Sequence, residues 1–184
     1  MKTLIINGSP RSNGNTHILI NALLKGLIGE YCIIDTYYSN ISPCTDCRQC
    51  QKGTGCVKRD NMTVLYNYIH DCSNIVIASP IYFGELTPPV LSIGSRLQAF
   101  YFARRLSNTE QGSINKKGGI VLAGGGSSGS DECAVKTAKI LLKQMGAKDI
   151  FDPVGSLNTD KIPASEDREA IKEISKLINF LNNV

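Results

Sequence analysis

Asn7-Gly8-Ser9-Pro10-Arg11-Ser12-Asn13-Gly14-Asn15-Thr16 is the stretch that decides the fold. A short apolar run, Thr3–Ile6, leads into it. After it, Thr16–Leu27 places Ile18, Leu19, Ala22, Leu23 and Leu27 at helical spacing. A strand, a polar glycine-bearing turn and a helix open a βα unit. The turn is rich in small residues and hydroxyls, carries one arginine and runs into a helix N-terminus. Backbone N–H groups and the helix dipole suit such a turn to a phosphate. It is not a P-loop: five residues separate Gly8 from Gly14, and Asn15 stands where the lysine belongs. Hydroxyl and amide donors without that lysine suit a monophosphate better than a nucleoside triphosphate. The competing reading is an ordinary polar turn with an Asn or Thr cap.

Outward from this unit, Cys32–Thr36, Ile75–Ser79, Gly119–Ala123 and Ile150–Val154 read as four more strands. The first, third and fourth of the five read as buried on both faces. Helical patterns fall between and after them. Met62–Ile69 has Asp60 or Asn61 as its N-cap. Pro89–Arg104 begins with a proline, as first helical turns tolerate. Ser130–Met145 stops at Gly146, and Ser165–Leu181 opens with Glu166, Asp167 and Glu169. Five alternations of strand and helix predict a three-layer α/β fold with a parallel sheet. The 184 residues show no repeat or linker, so residues 1–184 are expected to form one domain.

Composition narrows the class. The chain is 42% hydrophobic and 20% charged, with a net charge of +4. The bases are scattered. Arg104-Arg105 and Lys116-Lys117 are the tight pairs among candidate binding patches, and they read as solvated surface rather than a nucleic-acid face. The apolar run in MKTLIINGSP breaks too early for a secretory signal, and no run reaches membrane-spanning length. The expectation is a cytoplasmic protein with no membrane contact. Seven cysteines, an odd number, are not a disulfide framework in such a compartment.

Ligands of open α/β sheets sit beyond the carboxyl ends of the strands. Two further loops lie there. Ser79-Pro80-Ile81-Tyr82-Phe83-Gly84-Glu85 brings two aromatics and a glycine to the end of a buried strand. It can form a platform for a ring system, or simply cover the core edge. Ala123-Gly124-Gly125-Gly126-Ser127-Ser128-Gly129 contains a literal G-x-G-x-x-G at Gly124, Gly126 and Gly129. A dinucleotide site is rejected, because the 55 residues that follow hold one strand, too little for a nucleotide-binding half. A glycine loop with N–H groups facing a ligand edge remains, beside the plainer reading of a flexible turn. A phosphatase of similar architecture needs C-x5-R, and no cysteine here has arginine six positions on.

GSPRSNGNT after strand one, SPIYFG after strand three and the GGG loop after strand four together resemble the NADPH-dependent FMN reductase family. The cysteine run followed by Asp60-Asn61-Met62 resembles its iron–sulfur flavoprotein branch. The resemblance implies a flavodoxin-like, five-stranded parallel sheet of order 2-1-3-4-5. It implies that Ser9, Arg11, Asn13, Gly14, Asn15 and Thr16 hold the FMN phosphate. It sets Pro80, Ile81, Tyr82, Phe83 and Gly84 along the isoalloxazine, and Gly125 and Gly126 at its pyrimidine end. It implies NAD(P)H as electron donor and a quinone, nitro compound, flavin or redox protein as acceptor. A homodimer or higher homo-oligomer is implied, since family flavin sites are often completed across an interface. The alternative within the family is an electron carrier fed by a ferredoxin-like partner. No side chain is assigned as a catalytic acid or base, because hydride transfer between nicotinamide and flavin asks the protein for orientation and field. Two departures stand out: Asn61 where relatives often have aspartate, and Leu86-Thr87-Pro88-Pro89 opening the third helix, which in the family lines the substrate face and dimer contact.

Cys44, Cys47, Cys50 and Cys56 allow three chemistries. They can cage a [4Fe–4S] cluster, since the first three share ferredoxin spacing and Gly53 and Gly55 let the loop fold back. They can hold zinc, though structural zinc sites favour two separated C-x2-C knuckles. They can also be free thiols. Cys32, Cys72 and Cys133 read as structural, and His17 and His70 as surface or packing residues.

Overall fold

The structure is a computed structural model that describes every residue except 54, 108–114, 127, 128, 130 and 184. At its centre is β1 (Lys2–Asn7), buried at every position after the first. It pairs in parallel with β2 (Glu30–Asp35) on one side and β3 (Asn74–Pro80) on the other. β4 (Lys116–Ala123) and β5 (Ala147–Ile150) follow, giving the order β2-β1-β3-β4-β5. Successive connections leave β1 in opposite directions, so the switch point lies between β1 and β3.

The expected single strand over Ile150–Val154 is instead two. β5 pairs with the start of β4, and β6 (Val154–Ser156) pairs with its end, making six strands among the described residues. Phe151 N–H still donates to Gly118 O at 3.0 Å. Pro153 has no N–H to give, so the ladder lapses there and resumes one residue later.

Alternate strand residues feed two cores. Leu4, Ile6, Ile75, Ile77, Ile120 and Leu122 pack under α2 (Met62–Asp71), α3 (Pro88–Arg96) and α5 (Glu132–Gln144). Ile5, Val76, Ala78 and Val121 pack under α1 (Asn15–Leu24) and α6 (Arg168–Asn182). The expected helix Pro89–Arg104 is also two, because α4 (Gln98–Ser107) is separate from α3. Leu97 N–H bonds three residues back, to Gly94 O at 3.1 Å, which tightens and breaks the helix. Pro88, not Pro89, takes the first helical position, and Thr87 is the N-cap. α1 stops at Leu24, short of Leu27, ahead of Gly26, where a Cβ would press within 3.0 Å of Ile178. α6 starts at Arg168 rather than Ser165, because the Asp167 carboxylate accepts from Ala170 N–H (3.0 Å) and from Ser156 Oγ (2.7 Å). The expected start of α5 at Ser130 lies outside the described residues. The helix ends at Gln144, one residue before the expected Met145, with Gly146 in the left-handed region at φ +99°. Among the described residues, no helix is long and apolar enough to cross a membrane.

Candidate functional site

The loop after β1 is fixed from within. Asn7 Nδ2 donates to Asp35 Oδ1 on β2 (2.7 Å), and Asn7 Oδ1 accepts from Ser9 N–H (3.0 Å). Ser9 Oγ accepts from Arg11 N–H (3.2 Å), and Gly14 N–H returns to Arg11 O (3.3 Å). The chain thus curls into α1 with Gly14 as N-cap and no side-chain cap. The first-turn N–H groups of α1 keep their donor capacity, and the positive end of the helix dipole faces the same way.

The loop after β3 is tied to the first. Thr87 Oγ1 donates to Gly8 O (2.9 Å), and Thr87 N–H donates to Ser79 Oγ (3.3 Å). A Cβ on Gly8 would sit 2.7 to 2.9 Å from Val90, Ser79 and Thr87, so only glycine fits this crossing. Between Tyr82 and Glu85 the chain makes a two-residue hairpin, closed by Tyr82 N–H to Glu85 O (2.9 Å) and Glu85 N–H to Tyr82 O (3.1 Å). Its central residues, Phe83 and Gly84, both have positive φ, at +52° and +80°. That is the turn such hairpins favour, but with phenylalanine in a position that suits glycine or asparagine. α5 holds the hairpin rigidly. Ala134 N–H donates to Gly84 O (3.0 Å), and Thr137 Oγ1 donates to Glu85 Oε2 (2.8 Å). The Phe83 ring is left fully exposed.

The loop after β4 completes the edge. Ile81 N–H donates to Ala123 O and Gly124 N–H to Ser156 O, each at 2.9 Å. Thr159 N–H donates to Gly124 O (3.0 Å). The Asp160 carboxylate packs directly on Gly125, where a Cβ would fall about 2 Å from its oxygens. The three loops enclose one cleft of about 190 Å³ at the carboxyl edge of the sheet. A larger hollow of about 380 Å³ opens at the amino ends of β1 and β2, around Glu30, Cys32 and Tyr68, away from the edge where such sheets bind ligands.

Of the residues singled out from sequence, Ser9, Arg11, Gly14, Asn15, Thr16, Pro80, Ile81, Tyr82 and Gly125 line this cleft. Asn13, Phe83, Gly84 and Gly126 do not. Asn15 is partly committed, its Oδ1 accepting from Ala164 N–H (3.1 Å). Ser127 and Ser128 of the glycine loop lie outside the described residues. Sequence reasoning missed Thr159 and Asp160, which come from the segment after β6. It also missed the Asn7–Asp35 bond. The Asn immediately before Gly8 was the available signal, a polar residue closing a buried strand.

The four cysteines of the 40–60 loop gather around a second, smaller hollow of about 40 Å³, lined also by Arg96, Ala99 and Phe102. Burial first, and then the neighbouring Cys44, Cys56 and Cys47, push the Cys50 thiol above its ordinary pKa. Asp46 N–H donates to Cys44 Sγ at 3.4 Å. Left-handed backbone at Asp46, Arg48, Gly53 and Gly55 wraps the loop. Among the described residues, no three His, Cys, Asp or Glu side chains converge to hold a single metal ion. In a cubane each corner iron takes its own thiolate, whereas zinc needs all four sulfurs about 2.3 Å from one point. Of the remaining cysteines, Cys72 is buried as expected, while Cys133 is exposed on α5.

Arg96 anchors this loop. Its side chain is 1% exposed and donates from Nη1 to Asp60 Oδ2 (2.7 Å) and Ser42 O (2.9 Å), and from Nη2 to Asp60 Oδ1 (3.2 Å). Burial would raise the Asp60 pKa, but hydrogen bonds from Arg96, Ser42 and Met62 N–H outweigh it and hold the carboxyl at about 2. Burial would lower the Arg96 pKa. Asp60, with Cys56 acting in the same sense, raises it instead. Burial also raises the Tyr66 phenol, whose O–H donates to Arg96 O (2.7 Å).

Residues 1–161 match the model of the NADPH-dependent FMN reductase family. An iron-sulfur flavoprotein of Archaeoglobus fulgidus is 29% identical over 181 residues, covering 96% of this chain and 77% of that protein. An iron-sulfur flavoprotein of Methanosarcina thermophila is 25% identical over 188 residues, covering 100% and 95%. Among solved structures, the FMN-dependent NADH-azoreductase of Bacillus anthracis, in complex with FMN, has a TM-score of 0.74 at 17% identity and covers 100% of both chains.

Proposed function

The chain belongs to the NADPH-dependent FMN reductase family, and from that membership we propose an oxidoreductase that binds FMN in the three-loop cleft and draws its electrons from NAD(P)H. The carrying observation is the convergence of the loops after β1, β3 and β4 on one cleft beside an uncapped helix N-terminus. The residues fit the cofactor. Ser9, Thr16, the Arg11 guanidinium and the first-turn N–H groups of α1 bind its phosphate. Asn7, held by Asp35, keeps that loop in shape before the ligand arrives. The backbone at Pro80–Tyr82 lies along the ring, and Gly124 lets Ile81 come close (3.2 Å to a would-be Cβ). Gly125 offers N–H at the ring edge where negative charge develops on reduction. Asp160 sets the position of Gly125. When bound, FMN supplies hydride acceptance from the nicotinamide and onward delivery of electrons. The acceptor is a quinone, nitro compound, flavin or redox protein. The protein works as one domain over residues 1–184, in a cytoplasmic homodimer. A monomeric elution at micromolar concentration would overturn the dimer.

A second reading is favoured by the ring of four thiols and by the iron-sulfur flavoprotein relatives. Cys44, Cys47, Cys50 and Cys56 hold a [4Fe–4S] cluster, and the protein carries electrons from a ferredoxin-like partner. Anaerobically purified protein separates the readings by its FMN, iron and sulfide content, followed by stopped-flow reduction. Rapid flavin bleaching by NADPH supports the reductase. Bleaching by reduced ferredoxin alone supports the carrier. A protein that neither contains nor takes up FMN sinks both.

A further inference from the structure

Arg96 closes the base of the cysteine loop. It binds the carbonyl of Ser42, two residues before Cys44, and the carboxylate of Asp60, four residues after Cys56. Ser42 and Lys58 complete the seam. Ser42 N–H and Oγ–H donate to Asp60 Oδ2 (3.2 and 3.0 Å), and Lys58 Nζ donates to Pro43 O (2.6 Å). From α3, Ser95 Oγ accepts from Cys44 N–H (3.0 Å). The two ends of a 13-residue cysteine segment are thus stapled to a single helix end.

One donor of Arg96 is left over. Its Nε is buried and has no hydrogen-bond partner among the described residues. A buried unsatisfied donor costs about 1–3 kcal/mol, more on a charged group, so such groups call for a partner. Arg96 lines the same hollow as all four cysteines, and its guanidinium interacts with Cys56. Sulfur ligands of an anionic cluster are acceptors, and hydrogen bonds and charge near them set its reduction potential.

We propose that Arg96 is the positioning residue of the cysteine cage: it fixes the loop ends through Ser42 and Asp60 and directs its remaining N–H and charge to the sulfurs at Cys56, which raises the reduction potential of the bound cluster. The inference rests on the cluster-bearing reading above. Reduction adds one electron, given up by the reduced ferredoxin-like partner, and leaves every bond in place. The added negative charge is stabilised by a cation held in a buried site. Asp60 offsets part of that cation, so the two side chains act on the potential with opposite signs.

The test is an EPR-monitored redox titration of anaerobically purified wild type, Arg96→Lys, Arg96→Gln and Asp60→Asn, each with iron and sulfide assayed. Arg96→Gln is expected to favour the oxidised cluster about tenfold, a fall of about 59 mV for one electron. Arg96→Lys keeps the charge but loses the Nε donor, and should fall by less. Asp60→Asn should move the potential upward. A purely structural tie would lose cluster from the variants without opposite shifts. Equal potentials across the loaded variants therefore overturn the inference while leaving the cluster reading intact. So does cluster loss confined to Arg96→Gln with wild-type potentials in the other two. A wild type without iron and sulfide overturns the cluster reading and the inference with it.

Discussion

The loops 7–16 and 44–56 look alike as sequence and are built in opposite ways. Both are polar, short-ranged and glycine-bearing. The first takes its shape from the sheet. Gly8 N–H is bound by Ala78 O (2.7 Å), its carbonyl by Thr87, and Asn7 and Ser9 complete the turn from within. The second is anchored chiefly by one distant side chain, Arg96, which lies 36 residues from Asp60 and 54 from Ser42, with Ser42, Lys58 and Ser95 completing the seam. A loop held by neighbouring strands is as stable as the core beneath it. A loop anchored chiefly by one buried ion pair loses most of its hold when that pair is broken.

Removing the pair should therefore have the largest effect. Asp60→Ala leaves a buried charge uncompensated, and is expected to cost about 4 kcal/mol, within the range for breaking buried pairs. Urea unfolding gives the number. Proteolysis within the cysteine loop should accelerate while FMN affinity holds. If FMN is lost in parallel, the two loops are not independent. Gly8→Val attacks the other side. Its methyls have no room against Val90, Ser79 and Thr87, and overpacking of this kind costs up to about 3 kcal/mol. Here FMN affinity should fall with stability while the cysteine loop keeps its protection. A protein that binds FMN normally would show that the crossing at Gly8 does not shape the cleft.

Acid offers a gentler version of the first experiment. Asp60 is held at about 2 against an ordinary 3.8, and its side chain is 12% exposed. Its folded pKa is depressed, so its contribution is fully present above about pH 4 and is lost as pH falls through about 2. The difference amounts to about 2 kcal/mol at most. Protease sensitivity of the cysteine segment should rise across that window in wild type. In Asp60→Asn this acid step should be missing. A wild-type step that persists in Asp60→Asn would assign the effect to other carboxylates.

The contrast also explains what was legible in the sequence. Strand, loop and helix follow one another along the chain at β1, β3 and β4, so the cleft could be read from local pattern and the carboxyl-edge rule. Most residues named for it do meet there. Thr159 and Asp160 were not legible, because the strand expected over Ile150–Val154 hid the lapse at Pro153 that lets the chain cross to the glycine loop. Arg96 was not legible either. It sits in a helical pattern where an arginine reads as surface, and only tertiary packing reveals that it is buried opposite Asp60. The same helix was read straight through Leu97, since periodicity does not register a single tightened turn.

Phe83 joins the comparison from the side of the cleft. A phenylalanine at φ +52° is strained, and its ring, being fully exposed, gains nothing from packing to offset that strain. Yet the hairpin around it is firmly anchored to α5, so the strain is held in place rather than relaxed. Phe83→Asn should accordingly raise stability by up to about 1 kcal/mol, since asparagine tolerates this backbone region. Thermal unfolding of the flavin-free protein measures it. If the ring is kept for the flavin, the same variant should bind FMN less tightly or turn over more slowly with NADPH. Gain of stability with unchanged flavin affinity and turnover would detach Phe83 from the site. No gain at all would mean that the turn, like the cysteine loop, depends on a partner the backbone angles do not reveal.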